Sequence, residues 1–167
     1  MLLEDFNLLP VEEAVAALQA CCAAQRWVSA VVEQRPFSSL DDLQQSARIE
    51  WSGLAEADYL EAFDAHPKIG DPDSLKKKYA DTHKMASKEQ SLVEEAAPEV
   101  IADLATLNQA YFEKFGFIFI VCATGKTATE MLALVKERLP NDRADELVNA
   151  ASEQAAITAI RINKLFD

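Results

Sequence analysis

The chain predicts an all-α fold, a compact single-domain bundle of about eight helices spanning residues 1–167. Three observations lead there. Apolar residues recur at i, i+3, i+4 and i+7, and capping residues, prolines and glycines punctuate those stripes at helical lengths. The one long apolar run, Phe115 to Val121, is apolar at both parities and so is not a half-exposed strand. With 167 residues, half of them hydrophobic, the chain is long enough for one substantial core and short for two.

Pro10 stands near a helix start, ahead of the stripe Val11, Ala14, Val15 and Leu18. A second helix carries Trp27, Val28, Val31 and Val32 until Pro36 stops it. Ser39 caps a third through Leu40, Leu43 and Ile49, and a fourth runs from about Leu54 to Asp64 with Leu60 and Phe63 inward. It ends at His66. Residues 72 to 86 are lysine-rich with little apolar period, which predicts a short helix and then a loop.

Ser87-Lys88-Glu89-Gln90 matches a capping box and opens a helix toward Ala97. Pro98 starts the next, through Ile101, Leu104, Leu107 and Tyr111 to a Gly116 C-cap. The apolar run that follows must be buried on both faces. Thr127-Ala128-Thr129-Glu130 is a second capping box, launching a helix through Met131, Leu132, Leu134, Val135 and Leu139. Pro140-Asn141-Asp142 breaks the chain, and a long final helix from about Arg143 carries Leu147, Ala150, Ala151, Ile157, Ile160 and Leu165.

A net charge of −12 argues against nucleic acid or an anionic membrane surface as a partner, because both demand basic patches. Lys76-Lys77-Lys78 is flanked by Asp71, Asp73 and Asp81, as a solvated helix face would be. No run of about 18 apolar residues spans a bilayer and no leader pattern opens the chain, so a soluble, cytoplasmic protein is expected. The three cysteines, Cys21, Cys22 and Cys122, fit neither a disulfide framework nor a metal spacing and read as buried small hydrophobes. Gly125-Lys126-Thr127 resembles the end of a phosphate-binding loop, but Ile120 stands where that motif needs glycine. His66, Asp64, Asp71 and His83 reproduce no metal-site spacing, so no metal is expected.

The chemistry-bearing segment is His66-Pro67-Lys68-Ile69-Gly70-Asp71. Proline fixes its own φ and biases His66 toward extended geometry, while Gly70 permits a tight turn, so the imidazole projects from a helix end. Alone, such a histidine is either a site residue or a cap on the last carbonyls.

Together with Ser87-Lys88-Glu89-Gln90, Leu107-Asn108-Gln109-Ala110-Tyr111, the Phe115 to Ile120 run and Ile160-Arg161, in that order and spacing, the segment resembles the 2-oxo-4-hydroxy-4-carboxy-5-ureidoimidazoline (OHCU) decarboxylases of urate breakdown. The resemblance covers nearly the whole chain. It implies a small all-helical homodimer that needs no cofactor and converts OHCU to (S)-allantoin and carbon dioxide. It implies His66 as the principal acid/base residue and Glu89 as its companion. Substrate contacts fall to Pro67, Ser87, Gln90, Arg161 and the backbone from Phe119 through Ile120, Val121 and Cys122 to Ala123.

The residue types suit the reaction. The electron pair left by carbon dioxide can pass into the substrate's adjacent C=N, so no bound electron sink is required. Histidine titrates near neutrality, a carboxylate in a helix's first turn is held ionised, and a guanidinium grips a carboxylate or carbonyl pair. Each residue has a plainer alternative: Glu89 as helix-start electrostatics, Gln90 reaching back in its own capping box, Arg161 as a surface residue, and 119–123 as core packing. The chain ends Leu165-Phe166-Asp167, unlike a peroxisomal address, and a stand-alone enzyme is expected. The rival from another class is a non-catalytic helical domain that binds a purine-derived ligand.

Overall fold

The computed structural model describes residues 1–66 and 97–167. The expected short helix over 72–86, the Ser87 capping box and the helix toward Ala97 lie outside the described residues. Among those described there are eight α-helices and no strand: α1 (Leu3–Leu8), α2 (Val11–Gln19), α3 (Gln25–Glu33), α4 (Leu40–Ser52), α5 (Glu56–Asp64), α6 (Pro98–Phe115), α7 (Ala128–Arg138) and α8 (Arg143–Leu165). The chain divides into two compact units. One comprises Met1–His66 with Asn149–Asp167, the other Pro67–Val148.

In the first unit, Phe6, Leu18, Trp27, Val31, Leu43 and Ile162 are each fully buried in one core cluster. Burying a side chain of this kind contributes about 1.5–3 kcal/mol. Helix α3 buries Trp27, Val28, Val31 and Val32, the stripe read from the sequence. The Ser39 hydroxyl accepts from the Asp42 amide at 3.1 Å, so α4 has its expected cap. The two tryptophans satisfy their buried N–H groups on carbonyls. Trp27 Nε1 donates to Ala47 at 2.9 Å, and Trp51 Nε1 donates to Ala151 at 2.9 Å, tying α4 to α8. Gln44 Nε2 adds bonds to the Ala159 carbonyl at 2.9 Å and to Asn163 Oδ1 at 3.0 Å.

Three expectations need correction. Helix α1 has no prominent apolar stripe and was not anticipated; Arg35 Nη1 holds its C-terminal carbonyls, bonding Phe6 and Leu9 at 2.9 Å each, while Asn7 and Phe37 exchange two bonds. Val11 and Ile49 are exposed rather than inward. Val11 is the first residue of α2, where the stripe runs off the packed surface, and Ile49 lies some 240° around α4 from Leu43. Position 47 and position 51, four and eight residues after Leu43, take the inward face instead.

In the second unit, α6 ends at Gly116, whose φ of 79° is the left-handed C-cap conformation that glycine accepts without strain. Tyr111, Phe115, Phe117 and Phe119 then form an aromatic cluster with centroid separations of 4.5 to 6.1 Å. Phe117, Phe119 and Ile120 are buried, while Ile118 and Val121 are half-buried, so burial on both faces is partial. The Thr127 capping box is present: Thr127 Oγ1 accepts from the Glu130 amide at 3.2 Å, and Glu130 Oε2 accepts from the Thr127 amide at 2.8 Å. No helix among the described residues is long and apolar enough to cross a membrane.

Candidate active site

His66 follows the C-terminal turn of α5, its amide donating to the Phe63 carbonyl at 3.1 Å. Phe63 is fully buried, so the backbone that carries the histidine is anchored in the first unit. The imidazole is half-buried, with Nε2 2.5 Å from Oε1 of Gln154 on α8. Gln154 is 1% exposed and its Nε2 donates to the Thr158 hydroxyl at 3.2 Å. Thr158 is itself buried.

Burial pushes the Cys22 thiol up, and pushes Cys21 up to about 11. Both thiols are therefore kept neutral, as the reading of these cysteines as small hydrophobes requires. Cys122 is half-buried, and none of the three forms a disulfide.

Arg161 is seven residues beyond Gln154, so it lies on the same face of α8 about two turns further on. It is exposed, and its Nη1 donates to the Cys21 carbonyl at 3.3 Å. The structure thus sets His66 against the α8 face that also carries Arg161, with Gln154 and Thr158 completing a polar row. Pro67, Ser87, Glu89 and Gln90 lie outside the described residues.

The 119–123 stretch belongs to the second unit, where several of its carbonyls already accept bonds. Arg138 Nη1 donates to Ile120 at 2.8 Å, Lys126 Nζ to Cys122 at 2.8 Å and the Lys126 amide to Ala123 at 3.0 Å. Lys126 folds back on its own loop, in keeping with the rejection of a phosphate-binding loop.

Arg138 is only 9% exposed and anchors a cluster that the sequence reading missed. Its Nε and Nη2 each lie 2.9 Å from Glu146 Oε2, and Nη2 donates to the Tyr111 hydroxyl at 3.3 Å. The Tyr111 hydroxyl donates to the same Glu146 carboxylate, while Asn141 Nδ2 donates to Glu146 Oε1 at 2.9 Å. Burial and then the bond to Glu146 push the Tyr111 phenol far up. Among the described residues no three His, Cys, Asp or Glu side chains cluster as a metal site would need.

Gln154 and Thr158 were also missed, although a signal was there. Positions 146, 150, 154, 158 and 162 are all buried, a strict four-residue stripe on α8. Polar residues stand at three of them.

The all-helical scaffold holds a half-buried imidazole against a buried amide on α8. The chain belongs to the OHCU decarboxylase family, whose model matches residues 7–163. It is 34% identical over 148 residues to the uric acid degradation bifunctional protein TTL of Arabidopsis thaliana, which covers 89% of this chain and 46% of that protein. It is 26% identical to the 2-oxo-4-hydroxy-4-carboxy-5-ureidoimidazoline decarboxylase of Halalkalicoccus jeotgali, covering 97% and 90%. The chain therefore spans about half the length of the plant relative and most of the other. Among solved structures it resembles an OHCU decarboxylase crystallised in the presence of (S)-allantoin, with a TM-score of 0.71, 36% identity and coverage of 89% and 95%. A crystal structure of (S)-allantoin synthase superposes with a TM-score of 0.72 at 18% identity, over all of this chain and 55% of that one, which shows the fold alone.

Proposed function

We propose that this chain is a carbon–carbon lyase that decarboxylates OHCU to (S)-allantoin in uric acid degradation. The family match across residues 7–163 carries the reading. His66, with its ring against buried Gln154, supplies an acid/base group on a rigid support.

In the proposed reaction the bond between the ring carbon and the carboxylate breaks, carbon dioxide leaves, and the electron pair moves into the adjacent C=N as an aza-enolate. The ring nitrogen takes a proton, the hydroxyl on the carbon that lost carbon dioxide gives up its proton to become the carbonyl, and the neighbouring ureido-bearing carbon takes a proton on one face. The protein orients the carboxylate so that the breaking bond overlaps the π system, and it manages the protons. His66 exchanges the proton, with Glu89 as partner, and Arg161 grips a carboxylate or carbonyl edge. Pro67, Ser87 and Gln90 contact substrate, and the 119–123 backbone does so with lone pairs and amides beyond its internal bonds. One catalytic domain, a homodimer and a cytoplasmic location complete the proposal. Light scattering reads the second and cell fractionation the third.

Freshly generated OHCU mixed with the protein tests the activity by circular dichroism. Optically enriched (S)-allantoin should form faster than without protein, and equal rates with no optical excess sink the proposal. His66→Ala should lower kcat roughly 10²–10⁴-fold with an unchanged far-UV spectrum. Near-normal turnover in that variant removes His66 from the mechanism.

A further inference from the structure

We infer that Gln154 is a positioning residue for the proposed acid/base histidine: its carboxamide oxygen holds the His66 ring in one orientation with the proton on Nε2. The catalytic half of this statement rests on the decarboxylase reading. The structural half does not.

The contact is short, 2.5 Å between His66 Nε2 and Gln154 Oε1. A carboxamide oxygen has no proton to give, so the ring nitrogen facing it must be the donor. The reverse orientation, with the amide NH₂ toward the ring, would place the proton on Nδ1 instead.

The neighbours select between the two. Gln154 Nε2 lies 3.2 Å from the Thr158 hydroxyl, and that hydroxyl has a single proton. The Thr158 oxygen accepts from Gln154 Nε2, so the amide nitrogen is committed to Thr158. Only Oε1 then remains to face His66. A buried glutamine cannot turn over without breaking this row, because Gln154 and Thr158 are both 5% exposed or less.

A neutral amide is also the right partner for a group whose charge must change. It fixes tautomer and ring plane, and it favours the imidazolium less than a carboxylate would.

Histidine-selective ¹⁵N labelling tests the inference directly, since the chain has two histidines and His66→Ala assigns the signals. At about pH 8, above the unperturbed imidazole value, the wild-type His66 ring should be the Nε2–H tautomer with an exchange-protected ring proton. Gln154→Met should lose that protected resonance, and kcat should fall roughly 10–100-fold with KM within about threefold. Gln154→Glu retains an acceptor oxygen and should keep the resonance. An Nδ1–H tautomer in the wild-type protein, or a protected Nε2–H that survives in Gln154→Met, overturns the inference. The wild-type spectrum needs no variant to fold. Wild-type protein that shows the Nε2–H tautomer but does not decarboxylate OHCU sinks the proposed function and leaves the positioning role; an active enzyme with Nδ1–H does the reverse.

Discussion

Each unit buries polar groups on α8, but the first does so with uncharged side chains and the second with an ion pair. Beside His66 stand Gln154 and Thr158, an amide and a hydroxyl. In the second unit Glu146 meets Arg138, whose guanidinium also lies 4.7 Å from the Phe119 ring centroid and bonds the Ile120 carbonyl. All three guanidinium nitrogens are engaged, and Glu146 accepts from Asn141 and Tyr111 as well. A desolvated pair so fully bonded is suited to fixing backbone, here the stretch after Gly116. It is unsuited to holding a titrating group, because its charges would bias that group's proton affinity. The Gln154 amide orients the His66 ring without adding a charge of its own.

The largest expected effect tests the second unit. Arg138→Met strands the Glu146 carboxylate in the core and should cost about 3–5 kcal/mol, read from urea unfolding. The double variant Arg138→Met with Glu146→Leu should recover part of that loss, because neither charge is then left alone. Gln154→Met in the first unit should cost only about 1–2 kcal/mol, the penalty of a lost neutral bond. Equal costs for the two single variants would erase the distinction between the units.

Raising pH charges the neutral unit and sharpens the contrast. Burial raises the Cys21 thiol from 9.0 to about 11, with Arg161 opposing the shift and Cys22 adding to it. Between those values the unfolded chain has lost this proton and the folded chain keeps it, so the unfolded state binds fewer protons. Stability is therefore full below about pH 9 and declines as pH rises toward 11, by at most about 1.4 kcal/mol per pH unit for one group. Tyr111 pulls in the same direction at higher pH. The urea midpoint of Cys21→Ala should fall less steeply over that window than the wild-type midpoint. Parallel curves would mean that Cys21 keeps its ordinary value in the fold.

These contrasts also show where sequence reading reached its limit. Helix α3 and the Gly116 and Thr127 boundaries were legible because each rests on local physics, a 3.6-residue stripe or a cap that needs one residue type. The motifs around His66 and Arg161 marked them as candidates, and the structure places both beside or on α8. Gln154 was not, because a glutamine amid alanines reads as surface unless its place in the four-residue stripe is weighed above its polarity. The Arg138–Glu146 pair was hidden for the same reason: charged residues in a helix's last and first turns read as dipole partners. Helix α1 was invisible because Arg35 and Asn7 stabilise it through contacts about 30 residues away in sequence.

The smallest expected effect concerns the exposed start of α7. Thr127→Ala removes the hydroxyl that accepts from the Glu130 amide, and with it half of a reciprocal capping box. Loss of such a cap typically costs about 1 kcal/mol. The cap lies three turns of α7 from Arg138, so the Arg138–Glu146 bonds should persist and the two losses should add when Thr127→Ala is combined with Arg138→Met. Additivity within about 0.5 kcal/mol in urea unfolding would place the ion pair's contribution in its own contacts. A double variant much less stable than the sum would show that the pair depends on how well α7 is formed, making the second unit's rigidity a property of the helix as much as of its charges.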